Sequence, residues 1–205
     1  MAKGNRLFAA LYDPLSASGE KKVLGRHRPF MAGQAKGRVM EIGIGTGANL
    51  PYYPKDINLV AIEPNPHMLR RARTKAKKLG ISVAFLESGT EELPFPDQSF
   101  DTVVSSLVFC SVTEPVRAMQ EVYRVLAPGG EYRFLEHVRA YSRMWARFQD
   151  LAVPVSKLFF AGCHPNRDTV KTMADAGLEV VELKPFDFGL YPYRPHVLGV
   201  ARRPQ

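Results

Sequence analysis

The chain has 205 residues with 45% hydrophobic and 23% charged side chains, and a formal net charge of +8 at neutral pH. Those proportions fit one soluble domain with a full core and exclude a disordered or fibrous chain. No apolar run reaches transmembrane length and no secretory signal is evident, so the expected location is the cytoplasm.

In chain order, Arg38 to Ile42 reads as a first buried strand that runs into the glycine-rich turn Gly43-Ile44-Gly45-Thr46-Gly47. A second strand is expected from Asn58 to Glu63. Asn65-Pro66 then supplies an N-cap and a first-turn proline for a helix that stops at Gly80. The third strand spans Ser82 to Leu86. Asp97-Gln98-Ser99 turns the chain into a fourth strand, Phe100 to Ser106. A helix beginning near Thr113 or Glu114 carries Val116, Met119, Val122, Tyr123 and Leu126 along one face, and Ala127-Pro128-Gly129-Gly130 breaks it. The fifth strand is Glu131 to His137. A helical stretch from Ser142 to Phe160 is interrupted at Pro154, and Asn166 caps a further helix ending at Gly177. Leu178 to Lys184 and Val197 to Arg202 close the chain as a strand pair. Such alternation predicts a largely parallel sheet with helices on both faces.

The glycine turn is the first candidate site. Glycines let the backbone approach a ligand closely, and Glu63 follows Gly43 by the distance at which a carboxylate can accept both hydroxyls of a ribose. The helix N-terminus beginning near Ala48 can present free N–H groups to an anion.

The ordered set Glu41-x-Gly43-x-Gly45-x-Gly47, Glu63, Leu93-Pro94-Phe95-Pro96-Asp97-x-Ser99-Phe100-Asp101 and Glu121-x-x-Arg124-Val125-Leu126-x-Pro128-Gly129-Gly130 resembles the class I S-adenosylmethionine-dependent methyltransferases. The resemblance covers most of residues 38 to 137. A narrower one, to the alkyl thiol methyltransferase branch, rests on Gly45-Thr46-Gly47-Ala48-Asn49, Glu63-Pro64-Asn65-Pro66, Ser106 to Val112, Glu136-His137-Val138, Gly162-Cys163 and Arg194-Pro195-His196-Val197. Members of that branch are membrane-associated through an apolar N-terminal leader; Met1 to Ser18 reads as none, so membrane anchoring is not carried over from the resemblance.

The implied fold is a Rossmann-like, seven-stranded, mostly parallel sheet with a C-terminal antiparallel strand. It forms a single domain over 1–205, with residues 1–36 as an N-terminal cap and 138–165 as a lid or substrate-binding insertion. The implied cofactor is S-adenosyl-L-methionine. Gly43, Gly45 and Gly47 would pass beneath it, Glu41 would order the turn or reach its amino-acid end, and Glu63 with Pro64 would hold the ribose. Met68 would line the adenine pocket or simply pack in the core. Many family members place an aspartate after strand three where this chain has Gly89, so Gly89, Thr90 and Glu91 are expected to meet the adenine. The carbonyls of Ser106 and Leu107 would receive the cofactor's amino group.

For chemistry, His137 is expected either to take a proton from the acceptor or to anchor the following loop. Tyr12 and Asp13 would close over the cofactor, unless Tyr12 merely pins the N-terminal segment. Trp145, Phe148, Leu151, Val155 and Leu158 form an apolar stripe flanked by Arg143, Arg147 and Lys157. Three readings compete for it: a lid over an apolar substrate with Trp145 and Phe148 touching that substrate, an interfacial helix on anionic membrane, or plain packing on the sheet. Cys110 and Cys163 lie far apart in sequence, form no metal-type pair and are expected reduced and partly buried, not bridged, with Cys110 as a packing residue. His164 and Asp168 read as a loop residue and a first-turn acid, and no metal is expected.

The small apolar acceptor is expected to be a thiol, whose pKa near 8.5 demands little of a base. A phospholipid amine head group and a quinone ring carbon are the alternatives. A nucleic-acid-binding protein or RNA methyltransferase would account for the charge. However, the run Arg70 to Lys78 has no interleaved aromatics for stacking, and no Asn-Pro-Pro-Tyr or Asp-Pro-Pro-Tyr tetrapeptide is present. Nucleic acid is therefore not the expected partner. The sequence assigns no oligomeric state.

Overall fold

The computed structural model describes residues 6–19, 23–159 and 162–205. The expected N-terminal cap (1–36) and lid (138–165) each extend into residues outside that set, as does Phe160, the expected end of the lid helix.

Two helices open the described chain, α1 (Arg6–Gly19) and α2 (Gly25–Met31). The sheet is then laid down as β1 (Arg38–Ile42), β2 (Asn58–Ile62), β3 (Ala84–Leu86), β4 (Phe100–Ser106), β5 (Leu126–His137), β6 (Glu179–Asp187) and β7 (Pro195–Arg202). Between strands lie α3 (Pro66–Leu79), α4 (Pro115–Val125), α5 (Arg143–Phe159) and α6 (Thr169–Asp175). The seven strands are ordered β3-β2-β1-β4-β5-β7-β6. The first five run parallel, and β7 is antiparallel to both β5 and β6. This is the expected Rossmann-like sheet. Its strand order reverses between β1 and β4, where the carboxyl ends of the strands diverge and leave a crevice.

Side chains alternate across the sheet with a period of two. Val39, Leu59, Ala61, Val104, Leu135 and Leu198 face α2 and α3. Met40, Ile42, Ile62, Val103, Tyr132, Phe134 and Val197 face α4 and α6. Both faces are buried, so the central strands read as continuous apolar runs.

Local chemistry explains the helix ends. The Asn65 side chain accepts from the His67 and Met68 amides, and Gly80 closes α3 in the left-handed conformation at φ 66°. The Glu121-Arg124 pair is a strut. Arg124 Nε and Nη2 grip Glu121, and the same guanidinium donates to Asp97 and to the carbonyls of Leu93 and Phe95. That pins the Leu93–Asp97 segment to α4.

Three expectations need correction. Pro154 does not interrupt the lid helix: α5 is continuous through it. Proline forfeits one helical hydrogen bond, but both sides of it are tied down. Gln149 bonds Ala140 N and the carbonyls of Val138 and Pro192, and the Ser156 hydroxyl meets the Tyr193 hydroxyl at 2.6 Å. The cap of α6 is Asp168, whose side chain accepts from Lys171 N, while Asn166 donates to Asp150. The fifth strand reaches back through Pro128-Gly129-Gly130 to Leu126, where Gly129 N and Gly130 O exchange hydrogen bonds with Arg203.

Candidate active site

The glycine turn joins β1, at the point where strand order reverses, to a three-residue 3-10 helix, Leu50–Tyr52, so the helix expected to begin near Ala48 is not formed. Its three glycines do different work. A Cβ on Gly43 would lie 2.7 Å from Val108 Cγ2, and one on Gly47 would lie 2.5 Å from Leu50 Cδ1, so both are absent for packing reasons. Gly45 is different. All three backbones are left-handed, at φ 62°, 57° and 82°, but a Cβ on Gly45 would meet nothing nearer than Met68 Cε at 3.6 Å. The space above Gly45 is open, and Met68 forms one wall of it.

Glu63 closes the turn from the end of β2. Its Oε2 accepts from Gly45 N at 3.0 Å and its Oε1 from Asn65 N at 2.9 Å. Burial raises its pKa, and the two amide bonds work against that shift. A carboxylate oxygen has two lone-pair sites, so each oxygen keeps one for a further donor. Pro64, half-buried, carries the chain from this acid into the cap of α3.

Glu41 does not line the open space. It is buried beneath the turn, accepting from Asn49 Nδ2 at 2.8 Å and from the Tyr53 hydroxyl at 2.9 Å. Glu41 thus ties the end of β1 to Asn49 and Tyr53 beyond the turn. Sequence reasoning missed its partners and also Arg28, a buried arginine from α2 that donates to Asn49 Oδ1 and, at 3.4 Å, to the Ser106 hydroxyl. Nothing in the spacing of residues 28, 41, 49, 53 and 106 signals that they meet.

Burial pushes the Glu41 carboxyl up from 4.5 to about 7, against the opposing effects of Asn49, Tyr53 and Arg28. The folded state therefore holds more protons than the unfolded chain between those two values, and stability falls as pH rises across that window. Glu41→Gln is expected to remove this dependence. In paired melting curves from pH 4.5 to 7, the wild type should lose ground steadily relative to the variant. Parallel curves would show that the carboxyl stays ionised in the fold.

After β3, Thr90 is buried and Glu91 folds back on its own loop. Glu91 Oε2 accepts from Thr90 N at 3.1 Å, and Oε1 accepts from Thr113 N at 3.0 Å. Burial opposes ionisation there, but the backbone bonds outweigh it and the pKa is lowered. Gly89 leaves room for this carboxylate, since a Cβ would sit 2.9 Å from Glu91 Oε2. Glu91 thus ties the loop after β3 to the loop after β4.

At the end of β4, Ser106 is half-buried and Leu107 adopts φ 57°. A left-handed leucine costs on the order of 1–2 kcal/mol and persists only where the surroundings fix it. Here Leu107 N donates to Leu135 O at 2.8 Å, and the buried Glu136 carboxylate takes Val108 N at 3.1 Å, Phe109 N at 3.2 Å and the Ser105 hydroxyl at 2.9 Å. The Leu107 carbonyl accepts from the Cys110 thiol at 3.6 Å.

His137 ends β5 at the same edge and is buried. Its Nε2 lies 3.5 Å from Cys163 Sγ. Cys110 completes a buried group of three whose donor atoms all lie within 4.8 Å of one another. The two cysteines expected to be unrelated therefore meet, both free and both buried. The neighbouring Cys163 sulfur and then burial push the Cys110 thiol well above its usual range, so it is not an activated nucleophile.

From the N-terminal side, Asp13 on α1 accepts from the Thr46 hydroxyl at 2.6 Å and from Arg71 at 3.2 Å, which lays α1 over the glycine turn. Tyr12, half-buried, is the preceding residue. On α5, Trp145 stacks on Tyr191 with ring centroids 3.7 Å apart, and Phe148 meets Trp145 edge-on at 5.8 Å. Trp145 thus turns inward, off the expected stripe, and Met144 takes its place. Met144, Phe148, Leu151, Val155 and Leu158 are all exposed along one face. His164 N donates to Cys110 O, and His164 Nδ1 lies 2.8 Å from Gly162 O, so His164 is a loop anchor.

Residues 40–134 match a family model described as a methyltransferase domain. The chain is 32% identical to the human protein named "Thiol S-methyltransferase TMT1A" over 202 residues, covering 95% of this chain and 82% of that one. It is 34% identical to "Phosphatidylethanolamine N-methyltransferase" of Cereibacter sphaeroides over 162 residues, covering 75% of each. The crystal structure of a putative methyltransferase from Bacillus halodurans superimposes with a TM-score of 0.74 at 18% identity, over 89% of this chain and 99% of that one.

Proposed function

The chain belongs to the class I S-adenosylmethionine-dependent methyltransferases, and we propose that within this family it transfers the methyl group to the sulfur of a small apolar thiol. The residues present fit the methyl donor. Gly45 leaves a cradle that a side chain would fill, and Glu63 presents unused lone pairs beside it. Glu63 would hold the ribose diol, Met68 the adenine side, the Leu107 carbonyl the ammonium, and the Arg28 guanidinium the carboxylate. When bound, S-adenosylmethionine supplies a methyl already activated by its sulfonium. This chain's residues then have to orient the acceptor in line, exclude water and leave the acceptor's lone pair free. Tyr12 and Asp13 on α1 would cover the cofactor from outside.

One observation carries the choice of sulfur. The groups gathered where β4 and β5 end are Cys110, His137 and Cys163, while the neighbouring Glu136 carboxylate is turned away onto Ser105, Val108 and Phe109. That edge offers two thiols and an imidazole with no free carboxylate, which suits an acceptor that ionises with little help. The similarity to a thiol methyltransferase over 95% of the chain supports the same reading. The test sets a small alkyl thiol, phosphatidylethanolamine vesicles and a quinol side by side with labelled methyl donor. Label should appear in the thioether. Transfer to the amine head group with none to any thiol would overturn the proposal.

The amine reading has its own support in the exposed face of α5. Among the described residues no helix is long and apolar enough to cross a membrane. An apolar stripe beside Arg143, Arg147 and Lys157 does suit peripheral contact with an anionic surface. Leu151 and Leu158 are 78% and 76% exposed, so Leu151→Glu with Leu158→Glu should leave the fold intact. If α5 docks on lipid, this double variant should lose sedimentation with anionic vesicles while turning over soluble acceptors normally. Undiminished sedimentation would free the stripe from that role.

A further inference from the structure

We propose that Cys110, His137 and Cys163 form a binding site for a soft divalent metal ion of the zinc class, with a fourth coordination position open to the acceptor.

The geometry points there first. The three donor atoms lie within 4.8 Å of one another, and Cys163 Sγ is 3.5 Å from His137 Nε2. With zinc–sulfur bonds of about 2.3 Å and zinc–nitrogen bonds of about 2.0–2.1 Å, donors on a tetrahedron stand roughly 3.5–3.8 Å apart. The Cys163–His137 pair already has that spacing, and the other two separations do not exceed 4.8 Å. Two thiolates and an imidazole also suit zinc over magnesium or calcium, which take oxygen donors.

The scaffold holds the three donors independently of any ion. Cys110 sits in the loop after β4, His137 ends β5, and Cys163 lies in the loop beyond α5. His164 N donates to Cys110 O at 2.7 Å, and Arg139 N donates to Arg167 O at 2.9 Å. The Arg167 guanidinium donates to Phe109 O, and Glu136 clasps the amides of Val108 and Phe109. These bonds join all three segments. Simple packing of the cysteines would not require a buried imidazole nitrogen pointed at a sulfur.

Three protein donors leave a tetrahedral ion one position short, the arrangement of a site that takes substrate. Cys110 is one hydrogen bond from the Leu107 carbonyl, on the side proposed for the cofactor's ammonium. The occupant of the fourth position is the acceptor thiol, an assignment that rests on the proposed function. Its proton goes to solvent as the sulfur coordinates. The sulfur lone pair then forms the new carbon–sulfur bond as the donor's methyl–sulfur bond breaks, and that electron pair stays on S-adenosylhomocysteine. The neutral thioether product is a weaker ligand and leaves.

Protein stripped with chelator under reductant would be titrated with Co²⁺ and then with Zn²⁺. One equivalent of cobalt should bind, with thiolate-to-cobalt charge-transfer absorption and the intense visible bands of a tetrahedral ion, and zinc should displace it. Cys110→Ser and Cys163→Ser, each checked for fold by circular dichroism, should lose stoichiometric binding. Substoichiometric binding, absent charge-transfer bands, or binding retained in both variants would overturn the site. So would a Cys110–Cys163 disulfide in protein isolated without oxidant. A small alkyl thiol added without methyl donor should shift the cobalt bands. An unchanged spectrum from an enzyme that methylates that thiol would overturn the fourth position. Stoichiometric metal in an enzyme that methylates no thiol would overturn the sulfur proposal and leave the three-residue site standing.

Discussion

Glu63→Ala is expected to bind S-adenosylmethionine roughly ten- to a hundredfold more weakly, since hydrogen bonds to a charged group contribute about 1.5–3 kcal/mol. Two effects act together. The ribose loses its acceptor, and Gly45 N and Asn65 N lose theirs, so the turn beneath the cofactor loosens as well. Glu63→Gln separates the two. Its amide oxygen can still accept one backbone bond while no longer offering a carboxylate to the diol. Calorimetric titration should therefore rank wild type above Gln above Ala, and equal affinity in all three would remove Glu63 from the cofactor site.

Glu136→Ala should produce the largest loss of stability among the substitutions considered. The change strands Val108 N and Phe109 N in a dry interior and leaves the Ser105 hydroxyl with Tyr132 as its remaining partner. Each buried donor left unpaired costs about 1–3 kcal/mol. The strained Leu107 backbone also loses the neighbours that hold it at φ 57°. A fall in melting temperature well beyond that of Glu63→Ala is expected, with cofactor binding lost along with the loop. A melting point near that of the wild type would mean that water or a rearranged loop satisfies those amides, and the clasp would not be structural.

What the sequence revealed follows the range over which each signal acts. β1 and β4 were legible to the residue because turn chemistry bounds them. The α3 ends were legible because Asn65, Pro66 and Gly80 act on their own backbone. Pro154 misled because local propensity weighs the lost hydrogen bond and not the anchors Gln149 and Ser156 supply from tertiary partners. Trp145 misled by belonging to two patterns, the helical stripe and the contact with Tyr191, of which the second lies 46 residues away. Arg28, Asn49, Tyr53 and Glu41 were illegible as a group, because a buried polar network is defined by partners that only the fold brings together. The meeting of Cys110 with Cys163 is of the same kind.

The way β7 enters the sheet has a consequence for how such enzymes diversify. Because β7 runs against β5, its first residues arrive at the same edge as the last residue of β5, and Pro195 O accepts from Val138 N at 2.9 Å. The segment from Val138 to Pro195, which carries α5, α6 and the edge strand β6, thereby begins and ends at a single seam. The residues proposed to meet the methyl donor all precede His137, and the family model ends at residue 134. Under the proposed function, the acceptor-facing residues of α5 and of the loop beyond it therefore share one contiguous segment whose two ends are joined by a backbone hydrogen bond, while Cys110 and His137 lie outside it. Exchanging residues 138–195 between relatives, with both junctions at this seam, should shift acceptor preference, provided that the α6 face packed on α4 is kept.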